Sequence, residues 1–415
     1  MKPMGNIPAD YRGRDGKLLI GGHSVDTLIA EAGDTPLFVY DLAVVRARIA
    51  AFRAAFPGVA LHYAIKANPF SPLVMAMIPL VDGIDVASSG EAAVALAAGM
   101  DAGHISFAGP GKRDREIEAA IKAGVTVNLE SEREGDRALA IGEKLGLRPR
   151  LAVRVNPDFD LRGSGMKMGG GAKPFGIDAE RAASLVKHVT TAGADYRGLH
   201  IFAGSQALDP QAIITAQASA LTLAGRLSDE AGIAPPLVNL GGGFGIPYFP
   251  GENPLDIKLI GDDLAKSLED RPASLADALF AIELGRWLVG EAGVYLTRIV
   301  DRKVSQSEVF LVTDGGLHHQ LAASGNFGTV VRRNYPVAVA NRFGAEAEEE
   351  ASVVGCLCTP LDRLADRVAL PRAGEGDVIA VFMAGAYGAT ASPQAFLGHP
   401  PPLEMLVGNG DAPES

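Results

Sequence analysis

The chain has 415 residues, 47% of them hydrophobic and 21% charged, a globular composition too long for one ordinary core, so two domains are expected. Its formal net charge of −11 argues against nucleic acid as a main partner, because binding phosphates needs a basic face. No apolar run is long enough to span a bilayer, and Met1-Lys2-Pro3-Met4-Gly5-Asn6 has no signal-peptide core.

Two cysteines occur, Cys356 and Cys358. That spacing rarely makes a structural disulfide, and two thiols alone do not complete a zinc site. A reducing cytoplasm fits this usage.

Residues before Thr35 are polar and glycine-rich, with one apolar run at Leu18-Leu19-Ile20. Thr35–Tyr40 reads as a strand, after which Asp41 can cap an amphipathic helix through Val45, Ile49 and Phe52. From Leu61, short β-like runs alternate with alanine-rich helical runs. Strands are expected at Leu61–Asn68, Gly83–Ser88, His104–Gly109, Thr126–Glu130, Leu151–Asn156, Gly198–Gly204, Leu237–Gly241 and Leu279–Leu284.

Capping-box spacing at Ser88–Glu91 and Ser131–Glu134 marks helix starts, and Gly146 marks a helix end. Eight strand–helix units predict a (β/α)8 TIM barrel of the α/β class, although a doubly wound sheet would also accommodate them. The long gap from Pro157 to Tyr196 holds the glycine-rich run Arg162–Gly171, expected to be a mobile loop.

After Arg286 the texture changes. Val294–Val300, Val309–Thr313, Val337–Val339, Val353–Leu357, Val378–Phe382 and Leu403–Val407 read as strands of a second, all-β domain. The expected division is a barrel over 35–290, a β-domain from 1–34 and 291–408, and a disordered tail over 409–415.

Chemistry is carried by a few of these segments. Lys66 sits near the carboxyl end of Leu61-His62-Tyr63-Ala64-Ile65-Lys66-Ala67-Asn68-Pro69, where apolar surroundings would favour a neutral amine suited to imine chemistry. The bland reading is a lysine that snorkels to the surface. Leu240-Gly241-Gly242-Gly243-Phe244-Gly245 follows the seventh strand, where barrels commonly hold phosphate; the glycines alone would equally make a tight turn. Glu283 and Arg286, flanking Leu284-Gly285, emerge at the same rim as an ion pair or as a cofactor clamp.

His200 and Phe202 share a strand face, and Ser205 follows them. Phe202 alone reads best as core. Cys356 and Cys358 end a β-domain strand, as inert thiols or a proton donor, and Tyr387 is core or a cofactor contact. For His318-His319 no metal is expected. Neighbouring strand residues point to opposite faces, and no acidic or cysteine ligand follows nearby.

These segments, in this order, resemble the fold-type III pyridoxal-phosphate decarboxylases, the diaminopimelate and ornithine decarboxylase family, over almost the whole chain. The matching pieces are Tyr-Ala-Ile-Lys-Ala-Asn, Asp-Val-Ala-Ser-Ser-Gly-Glu, Gly-Leu-His…Gly-Ser-Gln, Gly-Gly-Gly-Phe-Gly, Glu-x-Gly-Arg, Cys-x-x-x-Asp and Gly-Ala-Tyr-Gly.

The resemblance implies that Lys66 holds pyridoxal 5′-phosphate as a Schiff base, with Asp85 nearby. It implies that Ser205, Gly242, Gly243, Gly285 and Arg286 hold the phosphate beside Tyr387, that Glu283 pairs with the ring nitrogen, and that His200 and Phe202 line the ring. Cys358 falls where the family's cysteine reaches into a neighbouring subunit's site, which implies a homodimer with shared sites. Substrate contacts would come from Arg286, Thr359, Asp362 and Asn326. Glu283 stands where alanine racemases carry arginine, which favours decarboxylation over racemisation.

The departures concern substrate. The family's His-x-His is His200-Ile201-Phe202 here. Thr359 stands where enzymes acting on basic amino acids carry Asp or Glu. An unpaired distal ammonium would cost several kcal/mol. The chain therefore looks like the exosortase-associated or carrier-protein-linked branch, acting on a free or carrier-bound amino acid. Diaminopimelate decarboxylase proper is the alternative enzyme reading, and a homologue that only binds is the alternative outside enzymes.

Overall fold

The computed structural model describes all residues except Arg162, Ser164, Met168, 326–332 and 409–415. The expectations for Asn326 and for the 409–415 tail lie outside the described residues. Two compact units emerge. One comprises Ile49–Ile246 with Pro254–Gly285, and the other Met1–Arg48, Pro247–Asn253 and the chain from Arg286 onward.

The first unit is a closed parallel barrel. Its strands are β1 (Ala60–Ala64), β2 (Gly83–Val86), β3 (Ile105–Phe107), β4 (Thr126–Leu129), β5 (Arg150–Asn156), β6 (Asp195–Ile201), β7 (Leu237–Gly242) and β8 (Leu279–Leu284). They pair in the order β1-β2-β3-β4-β5-β6-β7-β8, and β8 returns to β1 with Glu283 opposite His62. Parallel strands covered on both faces read as unbroken apolar runs, which is why β1, β2 and β4 are buried almost throughout. Leu61, Tyr63, Ile84, Val127, Val153 and Ile282 form part of this core.

Capping sets the helix starts. Ser88 accepts from the Glu91 amide at 3.1 Å, while the Glu91 side chain accepts from the Ala87 amide at 2.7 Å. Ser131 and Glu134 repeat the device, and Gly146 ends that helix in the left-handed region. Glu134 also receives the buried Lys112 ammonium at 3.0 Å.

The gap after β5 is not one continuous loop. It contains the helix Ala179–Thr191, and Met166–Lys167 pairs antiparallel with Gly204–Ser205. Arg162, Ser164 and Met168 of that run fall outside the described residues.

The second unit is a mixed sheet. Its path runs Val337–Val339, Val378–Val381, Gly293–Ser305, Glu308–Thr313, Glu349–Val354, Arg363–Leu370. Leu37–Asp41 pairs antiparallel with Gly293–Ser305 and parallel with Leu403–Val407. Residues 35–48 therefore belong with the sheet unit, not with the barrel as the boundary at Thr35 implied; ladder hydrogen bonds at Leu37–Tyr40 draw them there. The strand Arg363–Leu370 was not foreseen. Arg363, Asp366 and Arg367 break its apolar pattern, and Arg367 sits at φ 50°.

Candidate active site

β1 stops at Ala64, and Lys66 stands on the 3-10 turn Ile65–Ala67 just beyond it. This corrects the expectation of a longer strand carrying the lysine in apolar surroundings. Ile65 and Ala67 are buried, but Lys66 is exposed, so the desolvation argument does not apply to it. The Tyr63 hydroxyl donates to the Asn68 carbonyl at 2.7 Å, and the Asn68 side chain accepts from the Phe70 amide at 3.0 Å, which fixes the turn. Gly285 completes its seat. A Cβ there would lie 2.9 Å from the Ala67 Cβ and 3.1 Å from the Ala64 carbonyl oxygen. The Lys66 Nζ lies 5.7 Å from the Phe202 ring centre.

Around this turn the strand register gathers acidic and imidazole groups. Glu283 is opposite His62 on β1 and Gly242 on β7, and Asp85 on β2 is opposite Ala64. Glu283 is buried. Its Oε2 accepts from His200 Nε2 at 2.9 Å and from Asn239 Nδ2 at 3.4 Å. Its Oε1 accepts from no described residue. Burial alone would raise the carboxyl's pKa, but His200 above all, then Lys66 and Arg154, hold it below the usual carboxylate range.

His62 Nδ1 and Asp85 Oδ2 stand 3.3 Å apart without hydrogen-bond alignment, which leaves both Asp85 oxygens without a described hydrogen bond. Burial would lower the His62 pKa, but Asp85, with help from Glu283, raises it instead.

The glycine turn after β7 is shaped by contacts that exclude side chains. A Cβ at Gly242 would meet the Glu283 carbonyl oxygen at 1.9 Å, and one at Gly243, with φ 85°, would meet the Gly204 carbonyl oxygen at 2.5 Å. Asn239 Oδ1 accepts from the Gly241 amide at 2.8 Å. The Ala207 amide donates to the Gly243 carbonyl at 2.9 Å, and the Gly245 amide donates to Ala207 at 2.8 Å. These bonds join the turn to the segment bearing Ser205, whose hydroxyl makes no hydrogen bond among the described residues.

Lys66, Asp85, His200, Phe202, Ser205, Gly242, Gly243, Glu283 and Gly285 all belong to the barrel unit and stand at or next to the carboxyl ends of β1, β2, β6, β7 and β8. His62 and Asn239 were missed. One lies inside the lysine stretch and the other two residues before the glycines, so proximity to those motifs was the available signal. His200 grips Glu283 where the sequence reading had it lining a ring.

The remaining expected residues belong to the sheet unit. Arg286 Nη1 donates to the Tyr248 hydroxyl at 2.9 Å, and the guanidinium carbon lies 4.7 Å from the Tyr387 ring centre. Tyr387 has φ 55°, an uncommon state for a bulky residue. Tyr248 went unread, although it follows the glycine turn closely.

Cys358 is exposed on the turn after Glu349–Val354, and Thr359 is half-buried beside it. Asp362 is corrected. It is buried, and its two oxygens accept from the Leu317 amide at 2.6 Å and the Leu357 amide at 2.8 Å. It braces the cysteine turn and is not presented to a substrate.

A cavity of about 740 Å³ opens at the amino-terminal mouth of the barrel, lined there by Arg53, Asp82, Arg150, Arg197 and Leu279, and it reaches His62, His200 and Asn239 beneath the candidate site. Barrel enzymes work at the carboxyl end, where Lys66 stands, so cavity size does not mark the site here.

The family model "Pyridoxal-dependent decarboxylase, pyridoxal binding domain" matches residues 42–290. The L-glutamyl-[BtrI acyl-carrier protein] decarboxylase of Niallia circulans is 35% identical over 391 residues, covering 92% of this chain and 91% of that protein. The diaminopimelate decarboxylase of Methanothermobacter thermautotrophicus is 33% identical over 405 residues, 95% of this chain and 91% of that one. Among solved structures, diaminopimelate decarboxylase from M. jannaschii in complex with L-lysine superposes with TM-score 0.87 at 25% identity, covering 96% and 92% of the two chains.

Proposed function

The chain belongs to the pyridoxal-dependent decarboxylases, carboxy-lyases that use pyridoxal 5′-phosphate, and on that premise we propose that Lys66 is the covalent anchor of the cofactor and that the substrate is an amino acid carried on an acyl carrier protein. The carrying observation is the buried Glu283, ionised, gripped on one oxygen by His200 and Asn239 and with the other oxygen open among the described residues. That is the group a protonated ring nitrogen needs opposite it. The glycine turn, which tolerates no Cβ, and the Ser205 hydroxyl, unengaged among the described residues, suit a phosphate. The residues present therefore fit the cofactor.

When bound, the cofactor takes up the electron pair left by departing CO2. The chain's own residues do the rest. Lys66 holds and releases the cofactor. Glu283 keeps the ring nitrogen charged, and His200 and Asn239 keep Glu283 ionised and aimed. Arg286, stacked on Tyr387 and bonded to Tyr248, offers a guanidinium of fixed orientation for the phosphate. Cys358 delivers a proton to Cα, from a subunit paired with this one in a homodimer. Two free thiols suit a reducing cytoplasm, and among the described residues no helix is long and apolar enough to cross a membrane.

Two features support a carrier-bound substrate. The Niallia circulans relative is named for one. Thr359 offers no carboxylate to a distal ammonium, which free diaminopimelate would bring.

The test measures CO2 release from free glutamate, free diaminopimelate and glutamyl-carrier protein, with borohydride fixation of the cofactor followed by peptide mapping. Turnover confined to the carrier-bound form and label on Lys66 are expected. Efficient turnover of free diaminopimelate would overturn the substrate assignment, and label elsewhere would overturn the anchor.

A further inference from the structure

Strands Glu308–Thr313 and Glu349–Val354 are parallel neighbours, with Val312 opposite Val354. Parallel strands leave the sheet at the same end, so the segments after them, bearing His318 and Cys356, are delivered to one place. His399, just before the strand Leu403–Val407, arrives there too. One ligand atom from each of His318, Cys356 and His399 lies within 4.8 Å of the other two.

His318 is fully buried, and neither of its ring nitrogens has a hydrogen-bond partner among the described residues. A buried imidazole with two unsatisfied nitrogens is costly, and native structures keep such groups rarely and for a reason. Its neighbour His319 is already engaged. Nδ1 of His319 meets the Tyr295 hydroxyl at 3.0 Å and Nε2 meets the Pro400 carbonyl at 2.9 Å, while its ring packs 3.7 Å from that of His318. His319 thus supports the His318 ring and anchors the segment that carries His399. The Cys356 Sγ lies 3.8 Å from His399 Nδ1 and 3.9 Å from Nε2, and its other contact is the Asp314 carbonyl at 3.4 Å.

We propose that His318, Cys356 and His399 form a zinc-binding site. Two imidazoles and one thiolate are a donor set suited to Zn²⁺, with a water in the fourth position. Tetrahedral zinc places its N and S donors about 3.4–3.7 Å apart. From separations of at most 4.8 Å, the donor atoms need to close by up to about 1.4 Å, a movement that rotation of Cys356 and the half-buried His399 supplies. On binding, the Cys356 thiol loses its proton to solvent as the Zn–S bond forms, and no electrons are exchanged. The ion would tie together the segments after two strands and so hold the turn that presents Cys358. The expectation of no metal at His318-His319 assumed adjacent strand residues with no cysteine close by. The residues lie in a turn, and the cysteine arrives through strand pairing.

Purified holoprotein, stripped of metal with a chelator and incubated with ZnCl2, is passed over a desalting column and analysed for zinc. Zinc-edge X-ray absorption then reads the ligands. One zinc per chain with one sulfur and two nitrogens is expected. The metal should be lost in Cys356→Ser and in His318→Gln and kept in Cys358→Ser. Circular dichroism and cofactor absorbance check that each variant is folded, and Cys356→Ala serves if His318→Gln is not. No retained zinc, retention by a folded Cys356 variant, or a sulfur-free coordination shell would each overturn the site.

Discussion

His200 Nε2 lies 2.9 Å from Glu283 Oε2, and both groups are buried at the carboxyl ends of β6 and β8. The imidazole is the chief reason the carboxylate stays ionised without solvent. A depressed folded pKa contributes stability above the unfolded value, and that stability is lost as pH falls through the folded value. His200→Ala removes the main depressing group, so the Glu283 pKa should rise towards neutrality. The variant should lose about 10-fold or more in kcat at neutral pH, an effect of roughly 1.4 kcal/mol or more. Its activity should fall further on mild acidification, where the parent is flat. A kcat profile against pH checks this, and an unchanged acid limb would remove His200 from the role.

Arg286 meets two tyrosines with a planar group that lysine lacks. Arg286→Lys should retain the charge yet lose the bond to Tyr248 and the stacking. Cofactor affinity should drop about tenfold, equivalent to roughly 1.4 kcal/mol. Titration of apoprotein with pyridoxal phosphate, followed by visible absorbance, measures it.

If Cys358 serves a neighbouring subunit, Lys66→Ala and Cys358→Ala should each be nearly inactive alone. Refolding a mixture of the two should restore about a quarter of parental activity, because half the random dimers carry one intact site out of two. A mixture as inactive as its components would place both residues in sites made by one chain.

Thr359→Glu puts a carboxylate where enzymes of basic amino acids carry one. Turnover of free diaminopimelate should rise by about tenfold or more, since pairing a distal ammonium recovers at least 1–2 kcal/mol of charge-assisted bonding. Comparison of kcat/KM for free and carrier-bound substrates in both proteins reads the shift.

Lys112 is buried, and its ammonium meets Glu134 at 3.0 Å and two backbone carbonyls at 2.6 and 2.9 Å. Lys112→Met leaves Glu134 buried without its cation and should cost about 3–5 kcal/mol. Replacing both, as Lys112→Met with Glu134→Leu, should recover part of that loss in a chemical denaturation curve.

The barrel was legible because a parallel strand writes itself as a short apolar run between helix signals, and each of the eight expected runs overlaps an observed strand. Lys66, Glu283 and the glycine turn were legible for a related reason, since each sits at or just past a strand's carboxyl end in a distinctive motif. Hidden features were those made by pairing across distance. Nothing near His200 in the chain announces Glu283 as its partner. The burial of Asp362 against the Leu317 and Leu357 amides depends on how two loops meet, which no local pattern records. Lys66 was placed one turn too early because apolar residues continue past the last ladder bond of β1.

The edge pairing of Leu37–Asp41 with Leu403–Val407 has a temporal side. A ribosome releases the first of these segments long before it makes the second. The barrel, whose ladders join mostly nearby stretches, can close in the interval. Because Gly293–Ser305, its other partner, is also made after the barrel, the early segment must meanwhile wait with both flanks bare, a stretch where a holdase chaperone would find purchase until the late strands arrive.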